Sequence, residues 1–211
     1  MNIQKPTYKW NGSLSTRSTT NKIIIHHMAG VGSAQDIHSI HLKNGWSGIG
    51  YHFFVRLDGS VYEGRPIDKV GAHTTGQNSS SVGICFEGNY EERTSMPYEQ
   101  LQSGRELIKY LKNKYPNAKI SKHRDYMATA CPGKNFPFDE VVAEPAPLPV
   151  KDSNTPAVYN WVPQCPEWSQ PYLQKAWDLG IIKGDEKGNL NLNDDKIFSI
   201  VTLLRGLKIM D

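Results

Sequence analysis

The segment AEPAPLPVKDSNTPAV, residues 143–158, divides the chain, because it carries four prolines and no periodic apolar pattern. Proline lacks a backbone N–H donor and fixes its own φ, so such a run favours a semi-rigid connection over a helix or a central strand. The chain has 142 residues before this segment and 53 after it. We therefore predict a larger domain over 1–142, a linker over 143–158 and a small module over 159–211.

Strand and helix patterns alternate through the larger domain. NKIIIHHM and SVGICFEG are rich in branched apolar residues and predict short buried strands. SAQDIHSIHLKNG begins near a capping residue and predicts a helix over 34–43. The Asp58–Gly59 pair in GYHFFVRLDGSVYEGR predicts a hairpin, and MPYEQLQSGRELIKYLKNKYP predicts an amphipathic helix that stops at Pro116. This alternation favours an α/β fold with a mixed central β-sheet flanked by helices.

Cysteine content and charge exclude several classes of protein. The three cysteines, Cys85, Cys131 and Cys165, are an odd number without paired spacing, which argues against a disulfide scaffold. No stretch approaches the roughly 18 apolar residues of a membrane span, and the first residues lack the apolar core of a secretory signal. The net charge is +3. We expect synthesis in the cytoplasm without a signal peptide, and neither a membrane nor a nucleic acid as partner.

The segment KHRDYMATACPG, residues 122–133, places a histidine and a cysteine eight residues apart. Imidazole nitrogen and thiolate sulfur are zinc ligands, so His123 and Cys131 indicate two ligands of a metal site. The His26–His27 pair at the end of the first buried strand is the obvious source of a third. Adjacent strand residues face opposite sides, but spacing does not say which histidine faces the metal. Two alternatives to a metal site are a buried cysteine that happens to lie near a surface histidine and a cysteine nucleophile activated by a histidine.

The larger domain also carries four blocks in a fixed order: IIIHHMAG, GWSGIGYHFFVRLDGSVYEGRP, GAHTTGQNSSSVGICFEG and HRDYMATACPG. Together these blocks, within residues 21–133, resemble the zinc amidase superfamily of N-acetylmuramoyl-L-alanine amidases, phage lysins and peptidoglycan recognition proteins. The resemblance implies that family's mixed-sheet fold, with Zn²⁺ as cofactor held by His26, His123 and Cys131. It implies peptidoglycan as substrate, cleaved at the amide between the lactyl group of N-acetylmuramic acid and L-alanine.

Catalytic and substrate-binding residues follow from the same resemblance. Tyr51 matches the family's catalytic tyrosine, for which an aromatic packed in the core is the alternative. Thr129 lies where some relatives have lysine and others threonine, so a catalytic role and a simple turn residue are both open. Two histidines and an asparagine match groove positions that contact the glycan-peptide in relatives: His41, His73 and Asn78. The alternative is that they are structural residues held by hydrogen bonds.

Five further polar residues are given no function. We expect His27 to pack away from the metal, His52 to face the side opposite Tyr51 and His38 to face solvent. Two carboxylates, Glu63 and Glu87, are expected at strand ends or on the surface.

The small module reads as two helices joined by a Gly-rich turn. Its segment AWDLGIIKGDEKGNLNLND resembles one S-layer-homology repeat, which implies wall anchoring, with a secondary cell-wall polysaccharide as a possible ligand. The basic-acidic motif that usually opens the second helix of that repeat is absent. Because so small a unit buries little core of its own, self-association through a helical hairpin is the alternative.

An amidase domain, a linker and a wall-binding module together indicate a phage or prophage endolysin that lyses its bacterial host. A bacterial autolysin or spore-cortex amidase is the alternative enzyme. A recognition module that binds peptidoglycan without cleaving it belongs to a different class. Relatives that only bind commonly lack the cysteine, so Cys131 favours the enzyme.

Overall fold

The structure, a computed structural model, describes residues 2–143, 158–166, 169–207 and 209. It forms two compact units, Met1–Phe136 and Pro137–Asp211. Residues 144–157, most of the predicted linker, lie outside the described residues, so the division into 1–142, 143–158 and 159–211 stays a prediction. None of the helices in the described part of the chain is long and apolar enough to cross a membrane.

A six-stranded mixed sheet organises the first unit, in the order β1-β4-β3-β5-β2-β6. The strands are β1 (Ile3–Gln4), β2 (Lys22–His27), β3 (Phe53–Val55), β4 (Val61–Glu63), β5 (Ser81–Phe86) and β6 (Lys119–Lys122). Strand β2 runs parallel to both β5 and β6, and β3 and β4 form the predicted antiparallel hairpin. The predicted α/β class with a mixed central sheet is therefore confirmed.

Strand β2 lies inside the sheet, between β5 and β6, and both of its faces are covered. Ile23, Ile24 and Ile25 are completely buried, as expected for a continuous apolar run in a parallel strand. Three-residue 3₁₀ turns over 78–80 and 123–125 precede β5 and follow β6, respectively. Because β2 and β6 run parallel, their carboxyl ends meet at the same edge of the sheet.

Helices α1 (Ala34–Lys43) and α2 (Tyr98–Lys114) belong to the first unit. The capping serine that predicted the start of α1 forms a capping box, in which Ser33 and Asp36 satisfy each other's backbone N–H groups. Such a cap stabilises a helix by about 1 kcal/mol. The predicted apolar face of α2 is buried, as its members show: Leu101, Leu107, Ile108 and Leu111.

One expectation for the polar residues of this unit was wrong. His38 is buried, because the N-terminal segment covers α1: its ring packs against Tyr8 and Trp10, and its Nδ1 accepts the Ile49 N–H. Glu87 follows β5 directly, as the expected strand-end residue, and it is fully buried. Its carboxylate accepts hydrogen bonds from Arg56 and from two backbone N–H groups.

The second unit contains α3 (Phe138–Val142), α4 (Gln170–Asp178) and α5 (Asp194–Gly206), with a 3₁₀ turn over 162–164. The buried apolar residues of α4 and α5 form one face of each helix: Leu173, Ala176, Trp177, Ile197, Val201 and Leu204. Leu179 and Leu207 are about half exposed, and each follows the last residue of its helix. Trp161 is buried as well.

Candidate metal centre

Of the two adjacent histidines at the end of β2, only one has its side chain beside Cys131. The His26 ring is fully buried and its Nδ1 lies 3.8 Å from the Cys131 sulfur. The neighbouring His27 points to the other side of the strand, where its Nδ1 accepts the N–H of Tyr90. The alternation of side chains along a strand thus separates one histidine for the cluster from one that packs away, as expected for His27.

A closed loop after β6 brings His123 and Cys131 together. In the parallel register Ile25 pairs with Lys122, so the next residues, His26 and His123, lie side by side. The loop then closes on itself, because the Arg124 N–H donates to the Cys131 carbonyl and the Arg124 guanidinium donates to the Gly133 carbonyl. The Cys131–Pro132 peptide bond is cis.

The three side chains offer a nitrogen–nitrogen–sulfur donor set. One ligand atom from each of His26, His123 and Cys131 lies within 4.8 Å of the others, and the two imidazole centroids are 4.4 Å apart. Tetrahedral zinc, with Zn–N of about 2.0 Å and Zn–S of about 2.3 Å, separates its nitrogen and sulfur ligands by about 3.5 Å. The observed 3.8 Å between His26 Nδ1 and Cys131 Sγ is close to that distance, so these residues fit a zinc ion.

Burial gives both imidazoles the protonation state that a metal needs. It lowers the pKa of His26 well below the ordinary value, with His123 and His27 adding to the effect, and it lowers the pKa of His123. Burial also raises the pKa of Cys131 to about 11, against the opposing effects of the His27 N–H and Arg124. A nucleophilic cysteine would need a lowered pKa. The Cys/His nucleophile alternative is therefore disfavoured, whereas a bound metal would deprotonate the thiol directly.

Tyr51 lies beside the cluster, with its ring centroid 5.1 Å from that of His26. Burial, reinforced by the nearby Cys85 and Cys131 thiols, raises its pKa well above the ordinary value. The phenol is therefore a hydrogen-bond donor at neutral pH. Thr129 lies on the loop before Cys131, and its hydroxyl oxygen accepts the Cys131 N–H at 3.2 Å. Through this bond Thr129 stabilises the turn before Cys131.

A groove of about 580 Å³ opens next to the cluster, with His123 in its wall. Its volume is within the range of small-molecule sites. Trp46 and Met127 expose 44% and 38% of their surface there, which provides apolar contact area. Arg65 also lines the groove; it donates to the backbone carbonyls of residues 48, 49 and 70, and no described carboxylate forms an ion pair with it. This buried cation gives the groove a positive wall.

The three expected substrate-binding residues occupy different places. His41 is half-buried; its Nδ1 accepts the Gly50 N–H and its ring lies 4.5 Å from that of Trp46. Asn78 lines the groove, but its side-chain oxygen accepts the backbone N–H groups of His73 and Thr74. His73 also lines the groove, but only a small part of its ring is exposed there, because it packs against His26.

Sequence reasoning missed two polar residues of this site, Arg65 and Ser81. Arg65 comes two residues after the second strand of the predicted hairpin, where an arginine is usually exposed. Ser81 is the first residue of β5 and is completely buried, with its hydroxyl 3.2 Å from His73 Nε2. The only signal in the sequence was a serine opening an otherwise apolar strand.

A family model described as N-acetylmuramoyl-L-alanine amidase matches residues 16–134, which contain the whole cluster. The chain belongs to this amidase family. The endolysin of Klebsiella phage KP32 is 36% identical over 124 residues, which cover 55% of this chain and 82% of the phage protein. Peptidoglycan-recognition protein SC2 of Drosophila melanogaster is 33% identical over 146 residues, 61% of this chain and 79% of that protein.

A solved structure agrees with the fold of this amidase domain. The N-acetylmuramoyl-L-alanine amidase LysC from Clostridium intestinale URNW superposes with a TM-score of 0.65 at 42% identity. The superposition covers 67% of this chain and 95% of LysC. The family membership therefore rests on a sequence match over residues 16–134 and on a structural match over 67% of the chain, and it identifies the chain as an amidase-type hydrolase.

Proposed function

We propose that this chain is a zinc-dependent N-acetylmuramoyl-L-alanine amidase that cleaves peptidoglycan between the lactyl group of N-acetylmuramic acid and L-alanine. The observation that carries the proposal is the convergence of His26, His123 and Cys131 within 4.8 Å at one wall of a groove. The family match supports the amidase reaction, and the nitrogen–nitrogen–sulfur donor set supports zinc.

An unactivated amide needs a strong nucleophile and stabilisation of the negative charge that develops on its carbonyl oxygen. Zinc, when bound, lowers the pKa of water towards about 7 and polarises the carbonyl. His26, neutral because of its burial, and His123 would hold the ion from one side, and the Cys131 thiolate from another. One thiolate leaves the site with net positive charge, which favours an anionic nucleophile and an anionic transition state.

Tyr51 supplies the hydrogen-bond donor of this site. Its raised pKa keeps the phenol protonated, and its ring lies beside those of His26 and His41. We assign it to the developing oxyanion of the amide. Thr129 has a secondary role in our account: its oxygen accepts the Cys131 N–H, so its own O–H can orient the carbonyl. His41 and Asn78 would contact the glycan-peptide at the groove and beside it.

Hydrolysis of this bond has a distinctive product. It releases a stem peptide that begins with a free L-alanine amino group, and it creates no new reducing sugar end. Digestion of purified cell walls, with both kinds of end counted, therefore tests the proposed reaction directly.

We further infer that the enzyme acts as a phage or prophage endolysin, made in the host cytoplasm and acting on the wall after release. Support comes from the phage endolysins to which the chain is similar, such as that of Escherichia phage T7, 33% identical over 124 residues. A bacterial autolysin or spore-cortex amidase would use the same site, and the genes beside this one in its genome distinguish the two. A purely peptidoglycan-binding role is disfavoured by the complete ligand set with Tyr51.

For residues 159–211 we propose wall anchoring, with peptidoglycan or a secondary cell-wall polysaccharide as ligand. The segment that resembles an S-layer-homology repeat spans the end of α4 and the turn before α5. Within it the Asp185 carboxylate accepts hydrogen bonds from the N–H groups of Lys187 and Asn189, and from the Asn191 side chain. The turn is thus ordered by its own polar residues. A helical hairpin that self-associates is the alternative function.

A fluorescent fusion separates anchoring from self-association. Residues 155–211, fused to a fluorescent protein, are expected to decorate purified walls, and residues 1–142 alone to lyse intact walls less well than the full chain. Linking a catalytic site to an anchor raises its effective concentration at the substrate. Soluble muropeptide is the control substrate, because the truncated and full chains should cleave it equally. A fusion that forms dimers and does not bind the walls would contradict anchoring.

A further inference from the structure

His73 makes its closest side-chain contact with a proposed metal ligand. Its Nδ1 lies 3.0 Å from the Nε2 of His26, while the other ring nitrogen of His26, Nδ1, faces the Cys131 sulfur at 3.8 Å. The two rings meet edge to face, with centroids 5.1 Å apart. Only 8% of the His73 surface is exposed. A residue in this position reaches the reaction through His26.

A series of hydrogen bonds runs from His26 through His73 and Ser81 to the Gln77 carbonyl, and each donor in it can be assigned. The Gln77 carbonyl can only accept, so the Ser81 hydroxyl donates to it at 2.8 Å. With its single proton used, Ser81 must accept from His73 Nε2–H at 3.2 Å. A neutral His73 then has a bare Nδ1, which accepts from His26 Nε2–H. His26 is left with a bare Nδ1, the nitrogen that faces Cys131.

Both rings are buried, His26 completely and His73 almost completely, and burial of a charge is costly. Each ring therefore carries one proton, and the hydrogen-bond geometry determines which nitrogen carries it.

Two glycines make the space for the His73 ring. A Cβ at Gly83, on β5, would lie 2.5 Å from His73 Cγ, and a Cβ at Gly71 would lie 2.5 Å from His73 Cδ2. Both distances are shorter than side chains tolerate. Asn78 fixes the backbone of the same loop by accepting the His73 N–H. The ring is thus enclosed in a slot formed by residues 71–83.

We propose that His73 is a positioning residue. Its Nδ1 accepts a hydrogen bond from His26 Nε2–H, and Ser81 fixes the tautomer of His73, so that His26 presents Nδ1 to the metal. This rests on the proposed zinc site. Outer hydrogen-bond partners of this kind orient a ligating imidazole and raise its basicity. The Thr74 hydroxyl also lies within hydrogen-bond distance of His26 Nε2, at 3.4 Å, and it lies 3.1 Å from His73 Nδ1.

A matched pair of variants separates positioning from packing. In His73→Asn the side-chain oxygen is as many bonds from Cβ as Nδ1 is, so an acceptor for His26 remains. In His73→Gln the polar atoms are one bond further out, at the place of Nε2, so that acceptor is lost. We expect His73→Gln to bind zinc about 10- to 100-fold more weakly in chelator competition, and His73→Asn to stay within a few-fold of wild type.

A packing role predicts the opposite order. Asparagine leaves the larger void in the slot and should destabilise the fold more than glutamine does. His38→Gln is the control, because both ring nitrogens of this buried histidine bond backbone groups, the Lys9 carbonyl and the Ile49 N–H. It should lower the melting temperature without changing zinc affinity. Ser81→Ala should fall between wild type and His73→Gln. Equal zinc affinity in the Asn and Gln variants, or weaker affinity in Asn, would overturn the proposal. A wild type that binds no zinc would instead overturn the metal site itself.

Discussion

Cys131→Ser is expected to lose its zinc and its lytic activity together. A serine hydroxyl stays protonated at neutral pH and is a far poorer zinc ligand than a thiolate. The two histidines that remain cannot hold the ion in place. Metal analysis should return about one zinc per chain for the wild type and close to none for the variant, and the decrease in turbidity of a wall suspension should fall to the rate without enzyme.

Cys165→Ser provides the matched control for that substitution. Cys165 is also a buried free cysteine, but it belongs to the second unit, and its thiol contacts the Trp161 carbonyl. The same chemical change should there leave both the zinc content and the rate on soluble muropeptide unchanged. Full activity in Cys131→Ser, or in wild-type protein proven to be free of metal, contradicts the mechanism.

Tyr51→Phe should keep its zinc and its fold but lose turnover. Only a hydroxyl is removed, and the ring beside His26 and His41 remains. Loss of one preorganised oxyanion donor typically lowers kcat by about 100- to 1000-fold. The measurement is the rate of muropeptide hydrolysis at saturating substrate, with the zinc content determined on the same sample.

Tyr90→Phe controls for the removal of a buried phenol. The Tyr90 hydroxyl bonds the side chain of Gln100, away from the cluster, so its loss should lower stability and leave turnover intact. If Tyr51→Phe turns over at the wild-type rate with zinc bound, Tyr51 has only a structural role, and another donor must stabilise the oxyanion.

Local sequence patterns predicted the elements that carry the site. The helix over 34–43 begins and ends where the capping serine and the Asn-Gly pair placed it, since capping depends on neighbours in sequence. The hairpin at Asp58–Gly59 and the buried strand before His26 were likewise set by turn chemistry and by an apolar run. In each case the interactions that decide the structure lie within a few residues.

The positions of His38 and His73 could not be predicted in this way. His38 is buried because Tyr8 and Trp10 fold over it from almost thirty residues earlier in the chain. His73 lies in a loop and packs behind His26 because Gly83, on β5, leaves room for its ring. No periodicity around either histidine records these contacts. For the same reason the choice between His26 and His27 had to come from the family resemblance, and the assigned roles of the site residues stay predictions.

The composition of the products from purified cell walls tests the proposed reaction most directly. Walls digested with the wild-type protein should gain L-alanine amino termini in step with the fall in turbidity, while the number of reducing sugar ends stays constant. Cys131→Ser should produce neither change. New reducing ends without alanine termini would show a glycosidase, and new amino termini of any other residue would show an endopeptidase; either result would contradict an N-acetylmuramoyl-L-alanine amidase.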